Sequence, residues 1–331
     1  MSAPTLDIVA IGNAIVDVIA STTDEFIVSA GLTKGSMQLL DAAQAAALYG
    51  KMGPGKEISG GSAANTIAGM AALGSKCGYI GQVADDQLGA VFAHDIRAIG
   101  VAFTTPARIS EPPTAQCLIL VTPDGQRTMN TFLGASQYLP AAAIDISMIE
   151  SAAILYLEGY LWDPAEPRAA MQAAIRIARS AGRKVAFTLS DTFCIERHRD
   201  SFLALINNGD LDILFANEGE IHSLMQTDDF DAAVAAVAAK VPLLVVTRSE
   251  HGAIAVKDGV RSEVAAEPVA KVIDTTGAGD LFAAGFLSGQ VQGRSVADSL
   301  TMGSICASEI ISHFGPRPEA DLAALVAARL G

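Results

Sequence analysis

The chain has 331 residues, of which 50% are hydrophobic and only 18% are charged, and these proportions exclude a disordered or fibrous protein. Its 22 basic and 36 acidic side chains give a formal net charge of −14, which disfavours binding to nucleic acid or to anionic membranes. No stretch approaches the roughly 18 uninterrupted apolar residues of a membrane span, and no basic segment precedes the first apolar run. We therefore expect a cytoplasmic protein that crosses no membrane.

Cysteine and histidine spacing argues against a metal or redox site. The four cysteines are far apart and form no CxxC pair, and the histidines stand in no metal-ligand spacing. The four cysteines suit a reducing compartment and are Cys77, Cys117, Cys194 and Cys306.

Short apolar runs alternate with longer helical stretches along the chain. The predicted strands are Asp7–Ile11, Gly78–Ile80, Ile154–Leu157, Val185–Leu189, Asp212–Phe215 and Leu243–Thr247. Most are apolar on both faces, as in a parallel sheet that helices cover on each side. The predicted helices are Gln87–Ile99, Pro167–Ala181, Phe230–Ala239, Asp280–Val291 and Val296–Ser312. This order predicts an α/β fold built from βαβ units, with a late hairpin, Ala253–Val256 and Val260–Val264, as an antiparallel edge.

Two regions interrupt this alternation. Residues 22–59 contain short mixed segments, and Thr114–Gly134 has the pattern of a β-hairpin around a Pro-Asp-Gly turn. Both are candidates for a small β-rich lid. We therefore expect one large α/β domain over residues 1–331, with a lid inserted from about 18–59 and 111–135.

The segment VIDTTGAGDLFAAGFL carries the strongest local signal. A strand is predicted to end at Asp274 and a helix to begin at Asp280, after the small residues Gly277, Ala278 and Gly279. Backbone N–H groups at such a helix start can bind a phosphate, and the helix dipole favours negative charge there. A carboxylate at this place can accept the proton of an attacking alcohol. The alternative is that Asp280 only caps the helix.

Two familiar nucleotide motifs are incomplete. A dinucleotide fingerprint starting at Gly277 needs a glycine at position 282, which is Phe282. Residues 50–57 match GxxxxGK but place Glu57 where a P-loop needs Ser or Thr, and a carboxylate there would repel phosphate. We therefore interpret residues 50–57 as a loop or lid segment.

Two further segments place polar groups beside glycine or after a strand. Gly60 and Gly61 precede a predicted helix whose first turn carries Asn65, so a small ligand could approach bare backbone and an amide. The alternative is a plain turn with a surface Asn. Asn13 and Asp17 follow the first strand, near the carboxyl edge where open α/β sheets bind ligands. They could hold a diol, and the alternative is a solvated Asp17 in a loop.

Together these segments resemble a known family. GGSAANTIAGMAALG and DTTGAGDLFAAGFL are similar to the two signatures of the ribokinase/PfkB carbohydrate and nucleoside kinases, in the same order and separation. Asn217–Glu220 resembles the NxxE element of that family, and the resemblance runs from about residue 6 to the C-terminus. It implies a ribokinase-like three-layer α/β/α fold, ATP as co-substrate and Mg²⁺. It also favours Asp280 as the catalytic base over a cap.

Within the family, four segments are more similar to adenosine kinases than to ribokinases: GNAIVDV, FTLS, DILFANEGE and ISHFGPRPE. This similarity implies conversion of adenosine and ATP to AMP and ADP, as in purine salvage. It implies a pocket for the ribose and the base made by Asn13, Asp17, Gly61, Ser62, Asn65, Tyr160 and Leu161. Leu161 replaces an aromatic residue there. Arg127 on the lid hairpin matches an arginine that steadies the phosphoryl group, and its alternative is an exposed turn arginine.

The resemblance also implies a nucleotide side to the site. ATP is expected at Asn217, Thr247, Arg248, Ser249, Gly252 and Gly279, with Ser249 in the first glycine place of a TxGxxG pattern. Glu220 is expected to hold Mg²⁺ through water. Members of this family can also bind a monovalent cation. The resemblance leaves open whether K⁺ binds near Asp274 and residues 308–315. It leaves open as well whether the chain is a monomer or a homodimer.

Two other functions remain open from sequence alone. A free sugar such as ribose or fructose could be the acceptor in the same chemistry, in which case no purine would bind. A catalytically silent nucleoside-binding protein could share the fold, although such relatives are expected to lose the base or the anion site, and both are present here.

Overall fold

The computed structural model describes residues 3–331, which form fourteen strands and twelve α-helices. The strands are β1 (Leu6–Ile11), β2 (Ile15–Ser21), β3 (Met37–Leu39), β4 (Gly55–Gly60), β5 (Cys77–Ile80), β6 (Ala102–Phe103), β7 (Ala115–Val121), β8 (Arg127–Phe132), β9 (Ala152–Glu158), β10 (Lys184–Thr188), β11 (Ile213–Asn217), β12 (Leu243–Thr247), β13 (Ala253–Lys257) and β14 (Val260–Val264). The helices are α1 (Asp24–Ser29), α2 (Ala42–Tyr49), α3 (Ser62–Ala72), α4 (Gln87–Ala98), α5 (Ile146–Ser151), α6 (Ala165–Ser180), α7 (Thr192–Asn207), α8 (Glu218–Met225), α9 (Phe230–Ala238), α10 (Ala278–Val291), α11 (Val296–Ile310) and α12 (Leu322–Leu330).

The main sheet has nine strands in the order β14-β13-β12-β11-β10-β9-β1-β5-β6. Seven neighbouring strands are parallel, whereas β13 and β14 form an antiparallel edge. The six predicted strands and the predicted edge hairpin are therefore confirmed. Helices cover both faces, so the three-layer, ribokinase-like architecture is also confirmed.

Burial on both faces explains why these strands are apolar throughout. In β1, Ile8 and Ala10 belong to one hydrophobic cluster, which includes residues of α3, α10 and α11. Val9 and Ile11 point the other way, into a cluster with residues of α6, α7, α8 and α9. Successive side chains of a strand alternate between faces, so a strand between two helix layers has no polar face.

A second, small sheet has the order β3-β8-β7-β2-β4. The predicted hairpin is confirmed, because β7 and β8 pair antiparallel. Ile27 of α1 and Leu48 of α2 cover one face of this sheet by packing on Val18, Leu118 and Leu120. The small sheet therefore has a hydrophobic core of its own.

Two segments differ from the sequence-based expectations. The described backbone from 265 to 277 contains no strand, because the N–H groups of Ile273 and Asp274 donate to the carbonyl of Ile311, just after α11, rather than to a sheet. Helix α7 was not predicted, since a run of charged residues at 196–200 interrupts its apolar periodicity. The helix is kinked within that run, at His198. Among the described residues, no helix has both the length and the apolar character that a membrane span requires.

Helices α3, α10 and α11 pack closely at glycines. A Cβ on Gly285 of α10 would lie 2.6 Å from the carbonyl carbon of Met302 and 2.7 Å from the amide nitrogen of Gly303, both in α11. A Cβ on Gly69 of α3 would lie 2.7 Å from the Cβ of Ala284. These distances are too short for real side chains, so the glycines allow the three helices to approach one another. The middle of α10 is thereby held close to α3 and α11.

We predict that Gly285→Ala lowers the free energy of unfolding by about 1–3 kcal/mol, because the added methyl group forces α10 and α11 apart. Urea denaturation of both proteins measures the difference. Gly219→Ala on the exposed side of α8 is the control, since a Cβ there meets only an ordinary contact at 3.4 Å. That control should be neutral or more stable by up to about 1 kcal/mol. Equal stability of Gly285→Ala and wild type would contradict the close packing.

Candidate active site

Asp280 lies in the first turn of α10, where α10 meets α3. The helix begins at Ala278 with Gly277 as its N-cap, so Asp280 is the third helical residue and the cap interpretation is wrong. Its carboxylate accepts hydrogen bonds from the hydroxyl of Ser62, at 2.6 Å, and from the side-chain nitrogen of Asn65, at 3.0 Å. Two side chains of α3 therefore fix the orientation of this carboxylate.

The surroundings of Asp280 suit a group that takes up a proton. Burial raises the pKa of Asp280, while the hydrogen bonds from Ser62 and Asn65 and the positive charge of Arg317 oppose that rise. A carboxyl group with a raised pKa and a fixed orientation can serve as a general base.

The N-terminus of α10 provides backbone donors beside Asp280. Gly277 has φ +80°, a left-handed conformation that favours glycine, and a Cβ on Gly279 would meet nothing within 4 Å. The first N–H groups of a helix lack intrahelical partners. The N–H of Ala278 is already used, because it donates to the carbonyl of Thr275 at 3.2 Å. This leaves Gly277 and Gly279 as the candidate anion-binding donors.

Arg127 is buried at the start of β8, so its interpretation as an exposed turn residue is wrong. Its guanidinium forms an ion pair of 2.8 Å with Asp274 and lies 5.1 Å from the ring centre of Phe314. The ion pair lacks hydrogen-bond geometry, and all three guanidinium nitrogens are buried without a hydrogen-bond acceptor. Buried donors without acceptors are rare in proteins, and a guanidinium suits the oxygens of a phosphoryl group.

Asp17 lies on β2 of the small sheet and is only 7% exposed, so it is not a solvated loop residue. Burial raises its pKa to about 7, against the opposing charges of Arg317 and Arg127. A Cβ on Gly60 would lie 2.5 Å from the Asp17 carboxylate, so the glycine makes room for it. None of the described residues donates a hydrogen bond to this carboxylate. Asp17 is therefore a nearly buried hydrogen-bond acceptor for which the described residues supply no donor.

Asn13 is held by protein groups on both sides of its amide. Its side-chain nitrogen donates to Glu158 at 2.7 Å, and its side-chain oxygen accepts from the hydroxyl of Ser136 at 2.8 Å. Gly61 packs against the carbonyl of Asn13 with φ +99°, where any Cβ would collide with that oxygen. The loop after β1 and the start of α3 are thus in direct contact.

The two residues expected to contact the base, Tyr160 and Leu161, have different surroundings in the structure. Tyr160 is half-buried, and its hydroxyl donates to the carbonyl of Ser190 at 3.2 Å. Burial raises the pKa of Tyr160, and the negative charges of Asp280 and Glu220 raise it further, which places this ring near the site. Leu161 is fully buried in the hydrophobic core and presents no surface to a ligand.

Two of the predicted ATP residues lie at the carboxyl ends of neighbouring strands, whereas Gly279 lies in the first turn of α10 and Gly252 directly before β13. Asn217 of β11 and Thr247 of β12 are partners in the sheet register. Arg248 follows, with one guanidinium nitrogen 3.2 Å from Glu218 and its charged group 4.2 Å from the ring centre of Phe230. Arg248 is therefore engaged by protein groups.

The backbone conformation of the turn after β12 favours glycine at both glycine positions of the TxGxxG pattern. Ser249 has φ +49° and Gly252 has φ +80°, so both adopt the left-handed conformation that favours glycine. A Cβ on Gly252 would collide with the carbonyl of Val264. Ser249 thus adopts a conformation that glycine reaches more easily.

Glu220 and Asn217 form a reciprocal cap at the start of α8. The carboxylate of Glu220 accepts from the backbone and side-chain nitrogens of Asn217, at 3.0 and 2.6 Å. Burial raises the pKa of Glu220 to about 7. Among residues 3–331, no three His, Cys, Asp or Glu side chains cluster to hold a metal. A role of Glu220 in holding Mg²⁺ through water therefore stays a prediction.

The proposed K⁺ position is not tested by the structure. Asp274 accepts from the backbone and the hydroxyl of Thr276, at 3.1 and 2.8 Å, and from the backbone of Gly315, at 3.2 Å. K⁺ binding therefore stays a prediction.

Sequence reasoning missed two charged residues at the centre of the site. Arg317 donates to the carbonyls of Ser59 and Ala64, at 2.8 and 2.7 Å, and burial lowers its pKa to about 10 against the charges of Asp17 and Asp280. Glu158 is fully buried at the carboxyl end of β9. A signal existed for Glu158, because ligand sites of open α/β sheets lie at that edge. Arg317 lies in the segment ISHFGPRPE that the resemblance marked, but nothing in its local sequence shows that its side chain reaches Ser59 and Ala64.

Comparison with known proteins agrees with this geometry. The model of the pfkB family carbohydrate kinases matches residues 7–321. The adenosine kinase of Saccharomyces cerevisiae is 25% identical, over 96% of this chain and 97% of that protein. The solved adenosine kinase of Sinorhizobium meliloti is 48% identical, with a TM-score of 0.90, and a probable sugar kinase of Rhizobium etli is 46% identical, with a TM-score of 0.91; each comparison covers 98% of both chains. The chain therefore belongs to the PfkB family of carbohydrate kinases.

Proposed function

We propose that this kinase transfers the γ-phosphoryl group of ATP to the 5′-hydroxyl of adenosine. The observation that supports it best is the pair of carboxylates at the site. Asp17 is nearly buried and has no hydrogen-bond donor among the described residues, and Asp280 is oriented by Ser62 and Asn65. A ribose supplies hydroxyl donors for the first carboxylate and an attacking alcohol for the second.

The acceptor side offers complementary polar groups. The Asp17 carboxylate can accept hydrogen bonds from two neighbouring hydroxyls of the ribose. The side-chain oxygen of Asn65 is buried without a partner while its nitrogen holds Asp280, so this oxygen can accept from a further hydroxyl. Unpaired buried acceptors are costly, and a polyhydroxy ligand would satisfy both.

The transfer step follows from the positions of the charged groups. Asp280 takes the proton of the 5′-hydroxyl while the oxygen of that hydroxyl forms a bond to the γ-phosphorus. The bond between the γ-phosphorus and the β–γ bridging oxygen breaks, and ADP is released. The N–H groups of Gly277 and Gly279 and the guanidinium of Arg127 stabilise the charge on the phosphoryl oxygens. Mg²⁺, when bound, neutralises the charge of the phosphates, with Glu220 holding it through water.

The small sheet acts as the lid in this proposal. It carries Asp17 on β2 and Arg127 on β8, so closing this sheet brings an acceptor ligand and a phosphate ligand together. Closure also excludes water, which otherwise competes with the alcohol as phosphoryl acceptor.

A free sugar is the second candidate acceptor. The probable sugar kinase of Rhizobium etli is nearly as similar to this chain as the adenosine kinase of Sinorhizobium meliloti. The burial of Leu161 also removes one of the two predicted contacts to a base. A silent binding protein is less consistent with the site, because the base Asp280 is held in place and Arg127 keeps unused donors.

The identity of the acceptor is tested by measuring the ADP that the enzyme releases from ATP, with Mg²⁺ present and one candidate acceptor at a time. The candidates are adenosine, inosine, guanosine, ribose and fructose. We expect saturable turnover of adenosine, with a far higher kcat/KM than for ribose or fructose, because the base adds contacts that a sugar lacks. If only a sugar is turned over, that sugar is the acceptor in place of adenosine, and the proposed transfer step stays the same. Absence of turnover with every acceptor would favour the silent binding protein.

Asp280→Asn is expected to keep substrate binding and to lower kcat by roughly 10²- to 10⁴-fold, the usual contribution of a general base. Turnover assays and calorimetric binding of the acceptor measure the two effects separately. Asp258→Asn is the matched control, since Asp258 is exposed in the β13–β14 turn and its left-handed conformation accepts asparagine. Turnover of Asp280→Asn near that of the control would reject Asp280 as the base.

Arg317→Gln is expected to move the acid limb of the kcat profile to higher pH. The positive charge of Arg317 lowers the pKa of Asp280 and of Asp17, so its loss raises both pKa values and a higher pH is needed to ionise the base. Arg317→Lys retains the charge and should shift the limb less. Kinetics between about pH 5 and pH 9 measure the shift. The exposed Arg176→Gln on α6 is the control, and equal profiles for it and Arg317→Gln would contradict the prediction.

A further inference from the structure

Glu158 is a buried carboxylate that the transfer step does not use. It is 0% exposed, and all three of its hydrogen bonds come from neutral N–H groups. One oxygen accepts from the backbone and the side-chain nitrogen of Asn13, each at 2.7 Å. The other accepts from the backbone nitrogen of Ala63, also at 2.7 Å. Burial raises its pKa to about 7 against these hydrogen bonds. Burying a carboxyl group is costly, and these three hydrogen bonds offset part of that cost.

The neighbouring backbone leaves room for this carboxylate. A Cβ on Gly12 would lie 2.6 Å from a carboxylate oxygen of Glu158 and 2.6 Å from the Cβ of Ala63. Gly12 does not have a positive φ, so its conformation alone does not call for glycine. The glycine is required by the close approach of β9, the loop after β1 and the start of α3.

Glu158 replaces the missing cap of α3. The N-cap of this helix is Gly61, which has no side chain to accept a hydrogen bond. Helix starts leave N–H groups unsatisfied and favour negative charge. The Glu158 carboxylate satisfies the N–H of Ala63 from another strand. The same turn of α3 carries Ser62 and Asn65, whose side chains orient Asp280.

We propose that Glu158 is a positioning residue that ties the Asn13 loop to the N-terminus of α3 and thereby aligns the acceptor pocket with the base Asp280. It contacts no substrate, because its side chain is fully buried and both carboxylate oxygens are already occupied. This role rests on the proposed function, since it assigns the Asn13 loop to acceptor binding and Asp280 to proton transfer.

Glu158→Gln is the sharpest test, because glutamine keeps the shape but can accept hydrogen bonds at only one of its two end atoms. Its NH₂ group must face the N–H of Ala63 or the N–H groups of Asn13. We expect the KM for the acceptor to rise on the order of tenfold and kcat to fall by a similar factor, while the KM for ATP changes by less than about twofold. A role in general stability alone would not separate the two KM values.

An activity-independent measurement accompanies the kinetics. Hydrogen–deuterium exchange of the ligand-free protein should be faster in Glu158→Gln at whichever of Asn13 and Ala63 faces the glutamine NH₂ group, while β10 and β11 keep their wild-type protection. Glu166→Gln on α6 is the matched control, because Glu166 is exposed and should leave exchange and kinetics unchanged. Glu158→Asp keeps two acceptor oxygens on a shorter side chain, so it should lie between wild type and Glu158→Gln in both measurements.

The outcomes separate this proposal from the proposed function. Unchanged exchange at Asn13 and Ala63, or equal changes in the two KM values, would overturn the positioning role. Faster exchange throughout the main sheet in both Glu158 variants would assign Glu158 to global stability and overturn it as well. If wild type phosphorylates none of the acceptors, the proposed function fails. The exchange experiment would then still show whether Glu158 holds the two segments.

Discussion

The active site depends on the contact between the first turns of α3 and α10. Asp280 of α10 accepts hydrogen bonds from two side chains of α3, and the helices approach closely because glycines leave room for their neighbours. The carboxylate therefore owes its direction to the helix core and not to a flexible loop. Side chains fixed by packed helices hold a reactive geometry more accurately than side chains on loops. The buried glycines of α3 and α10 therefore contribute indirectly to the orientation of Asp280, because they allow the two helices to approach.

The charges of the site are balanced across several distant segments. Asp17, Asp280 and Glu158 are carboxylates with raised pKa values. The positive charge of Arg317 acts on Asp17 and Asp280, and that of Arg127 acts on Asp17. Each comes from a different part of the chain, so only the folded protein brings them together. Burial makes the carboxylates costly to ionise, and the two arginines reduce this cost. In the proposed function, these groups face hydroxyl donors on one side and phosphate on the other.

Much of the architecture could be predicted from the sequence. The apolar runs of the parallel strands and the Pro-Asp-Gly hairpin follow directly from local pattern, and the glycine-rich start of α10 marked Asp280. Contacts between distant segments could not be predicted in the same way. Arg317 binds the carbonyl of Ser59, more than 250 positions away, and Leu161 is buried by packing that its local sequence does not encode. Helix α7 lacked a clear apolar period, because its buried residues surround a charged, kinked segment.

The ion pair between Arg127 and Asp274 joins the small sheet to the segment that leads into α10. Both side chains are only 6% exposed, so separating them without a substitute would leave two charges buried and unpaired. Asp274 is therefore the counter-ion of Arg127 in this structure. The guanidinium of Arg127 thus has a charge that Asp274 balances and three nitrogens without a hydrogen-bond acceptor. In the role proposed for Arg127, the geometry of these donors would contribute more to anion binding than net charge, and it would favour a planar or tetrahedral oxyanion over a simple halide.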